Sequence, residues 1–315
     1  MYGACPPEVR PWLLVEASAE GVLRVATATP SERPRLQNVN ELDISGVPTF
    51  TDGLQRIERE QGVTLRGTKC AIAMAGATSG EALSLVRSRW TITRAGLAAI
   101  FEKPVVVLND VASRAWAVRA GSATIVNVRG MGTPAFDKPV RYAMIMVEEG
   151  VGAAIVDVDR TGHMRVLETE AGHTDFAATN ETEFRLANAL KGNAPVASWE
   201  KMLMLDRNDP VWASACPEIL ERERSRLQAE WLGRFSVNLA HAYGAWNGVM
   251  LTGSRASRTI EIGGRAAFET SFIGRRTFAR LIAGCAVWRV DQHEAVLTGT
   301  AERLAYNLKA QRAAA

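Results

Sequence analysis

Two apolar patterns alternate along this chain: short unbroken runs, and longer stretches in which apolar residues recur every three or four positions. WLLVEA (12–17) and VLRVATA (22–28), separated by a few small or acidic residues, predict a hairpin. A polar stretch follows, then a helix at DGLQRIEREQG (52–62), closed by its glycine. KCAIAMAG (69–76) and PVVVLND (104–110) read as buried strands, with a helix at TRAGLAAIFE (93–102) between them. The continuous β-branched run of the second suits a strand covered on both faces. After Asp110, VASRAWAVRAG is helical and stops at a glycine.

RYAMIMVEE and GAAIVDVD predict a second hairpin, turning at Glu148–Gly152, and HMRVLETEAGH (163–173) leads into a polar loop. From about Glu181 the pattern is mostly helical, in ETEFRLANAL, SWEKMLML and the long PEILERERSRLQAEWLGRFSVNLAHAYGAW, whose charges form a solvated face. NGVMLTGS (247–254) and AVWRVDQ (286–292) are strands, and TGTAERLAYNLKAQ is a closing helix. Two hairpin-opened segments with interleaved helices predict two related α/β lobes. Ligands in such folds sit at strand C-terminal ends, often between lobes.

Composition narrows the function classes. At 315 residues, 47% hydrophobic and 23% charged, the chain has the profile of a globular protein with a large core. A net charge of +3 gives no support to nucleic-acid binding. No apolar run is long enough to span a bilayer, and the start MYGACPPEVRPWLLVE does not read as a secretory signal, so the expectation is a cytoplasmic protein without a membrane role. Cys5, Cys70, Cys216 and Cys285 are scattered, with no CxxC, which predicts reduced thiols rather than a zinc site or disulfide framework.

Several polar groups stand at strand ends. Asp110, after Asn109, could accept a hydroxyl proton in a cleft; the alternative is an Asx turn or N-cap for the following helix. Glu170 and His173, three apart in a tight loop, could share one polyol, or form a plain surface loop. Glu200 opens a helix behind Ser198, where an acid in the first turn needs no further explanation.

The order LND, EEGVG, ETEAGHTDFA, SWEKML, GAWNGVMLTGS resembles the bacterial glucokinase family from about Trp12 to Leu308. The resemblance implies an α/β, two-lobed hexokinase/actin-like (ribonuclease H-like) fold with an interdomain cleft. Its expected domains are 1–110 with 301–315, and 111–300. It implies Asp110 as base toward the sugar 6-hydroxyl, with Asn109, Glu170, His173 and Glu200 as further sugar contacts. Ala171 stands where the family usually has glycine. Of the Thr-Asn-x-x-Trp segment only Trp90 is kept, with Val86 and Arg87 in place of the polar pair. Glucose or a related hexose is the implied ligand, and relatives commonly form homodimers.

The donor side departs from the family. Asp-x-Gly-Gly-Thr of the first hairpin turn becomes Glu16-Ala17-Ser18-Ala19-Glu20, and Gly-Thr-Gly-x-Gly of the second becomes Glu148-Glu149-Gly150-Val151-Gly152. Gly253-Ser254 replaces an adenosine-side Gly-Gly, and Met204-Leu205-Asp206-Arg207 replaces Ser-Gly-Pro-Gly. Gly150, Gly152 and Gly253 remain as cofactor-side positions, opposed by Glu16, Glu20, Glu148 and Glu149. A carboxylate about 4 Å from a phosphate charge costs roughly 1 kcal/mol in water and about 4 at an effective dielectric near 20. Three readings stay open. One is a hexose-binding pseudokinase that signals through a regulatory protein partner. Another is an active divergent kinase using ATP and Mg2+, with Arg255 and Arg258 clamping phosphate. The third is a scaffold whose acids pair internally with those arginines.

Overall fold

The computed structural model describes residues 10–18, 21–44, 46–86, 88, 90–274 and 277–314. The chain divides into two compact units, Met1–Ala123 with Gln292–Ala315, and Thr124–Asp291. In chain order the first unit holds β1 (Trp12–Ala17), β2 (Val22–Ala28), β3 (Leu36–Asp43), α1 (Phe50–Gln61), β4 (Cys70–Met74), β5 (Ala82–Ser84), β6 (Thr91–Thr93), α2 (Arg94–Phe101), β7 (Val106–Asn109) and α3 (Asp110–Arg119). The second unit holds β8 (Thr124–Arg129), β9 (Val140–Val147), β10 (Val151–Val158), β11 (Met164–Thr169), a 3-10 turn at Ala171–His173, α4 (Glu181–Leu190), α5 (Trp199–Leu203), α6 (Pro210–Ala215), α7 (Glu221–Tyr243), β12 (Gly248–Thr252), α8 (Ser254–Gly263), α9 (Arg265–Ile273), α10 (Ala279–Gly284) and β13 (Ala286–Asp291). Then α11 (Ala295–Ala314) returns to the first.

The two main sheets share a plan. The first runs β3-β2-β1-β4-β7 and the second β11-β10-β9-β12-β13, with β8 added at the end. In both, the first two pairings are antiparallel and the next two parallel. The predicted hairpins β1–β2 and β9–β10 therefore hold equivalent positions.

Strand alternation explains the first unit's two cores. Leu13, Val15 and Ala17 of β1 point to the side carrying Leu54 and Ile57 of α1 and Leu97 and Phe101 of α2. Trp12 and Leu14, with Ala26 and Ala28 of β2, point to the other side, which Leu297, Ala301, Leu304 and Ala305 of α11 cover. Helix α11 also binds α3: Ser113 Oγ donates to Val296 O at 2.7 Å, and the Trp116 and Tyr306 rings lie 4.9 Å apart.

The polar stretch after the first hairpin contains an edge strand, β3, which the sequence pattern does not reveal. α1 begins two residues ahead of its predicted start, because Thr49 accepts from the Asp52 amide at 3.1 Å and sets the N-terminus there. The long helical pattern from 217 becomes α7, ended by Gly244 in a left-handed conformation. Among the described residues no helix is long and apolar enough to cross a membrane. Cys70, Cys216 and Cys285 are buried free thiols, and Cys5 lies outside the described residues.

Candidate functional site

In the first unit, β7 ends where α3 begins, so Asn109 and Asp110 stand at a strand C-terminus. Asn109 takes the capping role: its Oδ1 accepts from the Val111 amide at 2.8 Å and the Ala112 amide at 3.3 Å. Its Nδ2 donates to Gly76 O at 3.1 Å, tying the cap to the loop after β4. Asp110 is half-buried in the first turn of α3, where a helix N-terminus favours an anion, and its Oδ1 also accepts from the Val111 amide at 2.8 Å. Capping by Asn109 and an acid in the first turn of α3 thus occur together.

The first hairpin turn adjoins a charge network. Glu16, Arg24 and Glu41 are register partners across β1, β2 and β3. Arg24 pairs with Glu16 and with Glu41, both at 3.1 Å, and also with Glu294, which precedes α11. Glu16 and Arg24 share the sheet face of Leu14 and Ala26, so this network ends the apolar strip beneath α11. Burial pushes the Glu16 carboxyl above the usual range; Arg24 and then Arg114 oppose it, and the charges of Glu294 and Asp110 add to it. Within the turn, the Ser18 amide donates to Val22 O at 3.0 Å and the Val22 amide to Ser18 Oγ at 3.4 Å. Glu20 and Arg87 lie outside the described residues.

The second unit gathers Glu170, His173 and Glu200. The Trp199 amide donates to Thr174 O at 3.0 Å and the Phe176 amide to Ala197 O at 2.8 Å, laying the loop after β11 along the start of α5. His173 then stands between two carboxylates, its Nε2 3.7 Å from Glu170 Oε2 and its Nδ1 3.8 Å from Glu200 Oε1. Glu170 and His173 are exposed, whereas Glu200 is half-buried because its other oxygen accepts from the Val151 amide at 3.0 Å. The Glu148–Gly152 turn and the Glu170–His173 loop are thus joined through one carboxylate.

Glycine lets the backbone come close at both places, and at Gly172 the close neighbour is itself backbone. A Cβ on Gly150 would lie 2.9 Å from Glu200 Oε2, and one on Gly172 would lie 2.2 Å from Val151 O. Gly253, at φ +95° between β12 and α8, similarly passes close to Val147 O, at the beginning of the same turn. Gly150, Gly152 and Gly253 therefore cluster with Glu148 at one end of the second sheet. Arg255 of α8 reaches Met204 O at 3.4 Å and Asp206 Oδ2 at 3.9 Å.

Behind the loop lies a buried support. Arg234 of α7 pairs with Glu183 of α4 at 3.1 Å and lies over the Phe176 and Trp199 rings. Glu183 also accepts from Trp231 Nε1 at 2.9 Å and from the Thr179 amide at 2.7 Å. A buried acid with this many donors holds its surroundings in one arrangement.

The sequence reading passed over Arg24 and Glu294. The hairpin register contains part of the signal, since it sets Arg24 directly across from Glu16. Asn109, Asp110 and Glu16 belong to the first unit; Glu170, His173, Glu200 and the three glycines belong to the second.

Comparison with known proteins bears on the family and the fold. A family described as Glucokinase matches residues 20–204, more than half of the chain. The glucokinase of Stenotrophomonas maltophilia is 25% identical over 320 residues, covering 92% of each chain. Among solved structures, a glucokinase from an Antarctic psychrotroph superposes with a TM-score of 0.72 at 18% identity, over 94% of this chain and 99% of that one. The glucokinase of Balamuthia mandrillaris in complex with glucose gives 0.70 at 16% identity, over 96% and 95%. These likenesses establish the hexokinase/actin-like α/β fold.

Proposed function

The chain belongs to the glucokinase family, and from that premise we propose that it binds a hexose such as glucose while its donor side is poorly suited to magnesium–ATP. The observation that carries this reading is a contrast between two turns and one loop. Glu170, His173 and Glu200 present two carboxylates, each within 4 Å of one imidazole, a set able to take several sugar hydroxyls. The Balamuthia relative was solved with glucose, which supports the choice of ligand. In this reading Asp110 serves as the base toward the sugar 6-hydroxyl, the role the family resemblance implies.

The donor turns offer a phosphate little. Glu16, where the family's magnesium-side aspartate stands, is paired with Arg24 instead. The Val151 amide of the second turn donates to Glu200. Glu148 and Glu149 add negative charge beside that turn. These residues do not fit a magnesium–triphosphate. Signalling through a regulatory protein partner, as a cytoplasmic homodimer, completes this reading.

A second reading, an active divergent glucokinase, is favoured by the placement of Asp110 at the N-terminus of α3. Calorimetry with glucose and with magnesium–ATP, beside a coupled phosphorylation assay, separates the two. The expected outcome is saturable glucose binding, weakened by E200A, with no saturable nucleotide binding. Turnover in the ordinary kinase range of about 1–100 per second would overturn it.

A further inference from the structure

The opposite ends of the first unit's parallel strands carry a different feature. Arg10, Trp12, Gly67, Lys69 and Lys103 line an open cavity of about 470 Å³, where β1 and β4 begin and β7 approaches. Glu16 lies four positions along β1 from Trp12, a span of roughly 13 Å at strand spacing. The cavity is thus distinct from the residues at the strands' C-terminal ends.

Three cations converge here. Arg10 Nη1 donates to Arg66 O at 3.1 Å, and Lys103 Nζ donates to Gly67 O, which holds both side chains at the rim. The Lys69 ammonium lies 5.9 Å from the Trp12 ring centroid. Burial lowers the Lys69 pKa, and the Lys103 charge lowers it further. The neighbouring acid, Glu102, is paired with Arg66. Among the described residues no carboxylate forms an ion pair with Arg10, Lys69 or Lys103. Holding like charges in one concavity is unfavourable, and a dianion in their midst reverses the sign of the interaction.

We propose that this cavity binds a small dianion: a phosphate group, either free or carried on a small ester. Guanidinium and ammonium groups suit its oxygens through charge-assisted hydrogen bonds. The Trp12 wall and the open mouth leave room for an ester's organic part.

Titration calorimetry on the full chain tests this with inorganic phosphate and with glycerol 3-phosphate, at ionic strength held constant with sodium chloride. The expected result is saturable one-site binding of phosphate, weakened about tenfold or more by K69M/K103M and unchanged by K138M, which removes the same charge from the other unit. The exposed single variant K103M, expected to weaken binding by a smaller factor, guards against misfolding of the double variant. Glycerol 3-phosphate binding as tightly identifies the phosphate group alone as the determinant; tighter binding identifies an ester. Absence of saturable phosphate binding, or equal binding by wild type and K69M/K103M, overturns the proposal.

Discussion

Replacing Arg24 with methionine removes the cation shared by Glu16, Glu41 and Glu294 while keeping much of the apolar stem. At the 3.1 Å separation of Arg24 and Glu16, a unit-charge pair is worth roughly 5 kcal/mol at an effective dielectric near 20. Dehydration takes back part of that, and stranding a buried charge typically costs about 3–5 kcal/mol. The Arg24 side chain is 24% exposed, so solvent screening brings the expected loss to about 2–4 kcal/mol. At roughly 3 °C per kcal/mol for a unit of this size, R24M lowers the melting temperature of the first unit by about 6–12 °C. The sign with pH follows from Glu16. Burial already raises its folded pKa above the unfolded value, so its ionisation opposes folding and the stabilising contribution of its protonated form is lost as pH rises through the folded value. Arg24 is the largest opposing influence, so R24M pushes that value higher still. The variant's deficit relative to wild type is therefore largest at neutral pH and shrinks as pH falls through the raised value. E16Q in the R24M background recovers part of the deficit at neutral pH. Hydrogen exchange of the β1 and β2 amides, followed across pH, isolates the first unit. A deficit below about 0.5 kcal/mol, or one that neither acid nor E16Q relieves, would refute the reasoning.

Gly172→Ala places a methyl against Val151 O and forces the loop away from β10; it costs about 1–3 kcal/mol in the second unit and weakens glucose binding more than Ala171→Gly does, as calorimetry and urea unfolding report together. Glu183→Gln removes the charge facing Arg234 beneath the same loop and costs about 3–5 kcal/mol; loss of stability without loosening of the Phe176–Trp199 region in hydrogen exchange would count against its supporting role.

Legibility in the sequence followed burial. The strands β1, β2, β4, β7, β9, β10, β12 and β13 are rich in buried apolar residues, with a charged or polar position only here and there, and their patterns identify them directly. Strand β3 is different. Only Leu42 among its eight residues is buried, so its extended shape comes from the β2 ladder and leaves no alternation to read. Strand β8 is likewise an edge, and α8 and α9 each run into Gly264 or Gly274 before a long period can develop. The loop residues Glu170, His173 and Glu200 were legible through the order of their motifs. The bond from the Val151 amide to Glu200 was not, because a side chain meeting a backbone group 49 positions away has no local signature. Arg24 was partly legible: Glu16 follows from the hairpin register, whereas Glu41 sits on the unread β3 and Glu294 arrives from beyond the entire second unit.

That last arrival bears on how the molecule is made. One face of the first sheet, with Trp12, Leu14 and Ala26, packs against α11, the final element in chain order. During synthesis the second unit can therefore close its own core while the first still shows an open apolar face to the cell. The first unit's opening strands, although translated earliest, wait longest for completion.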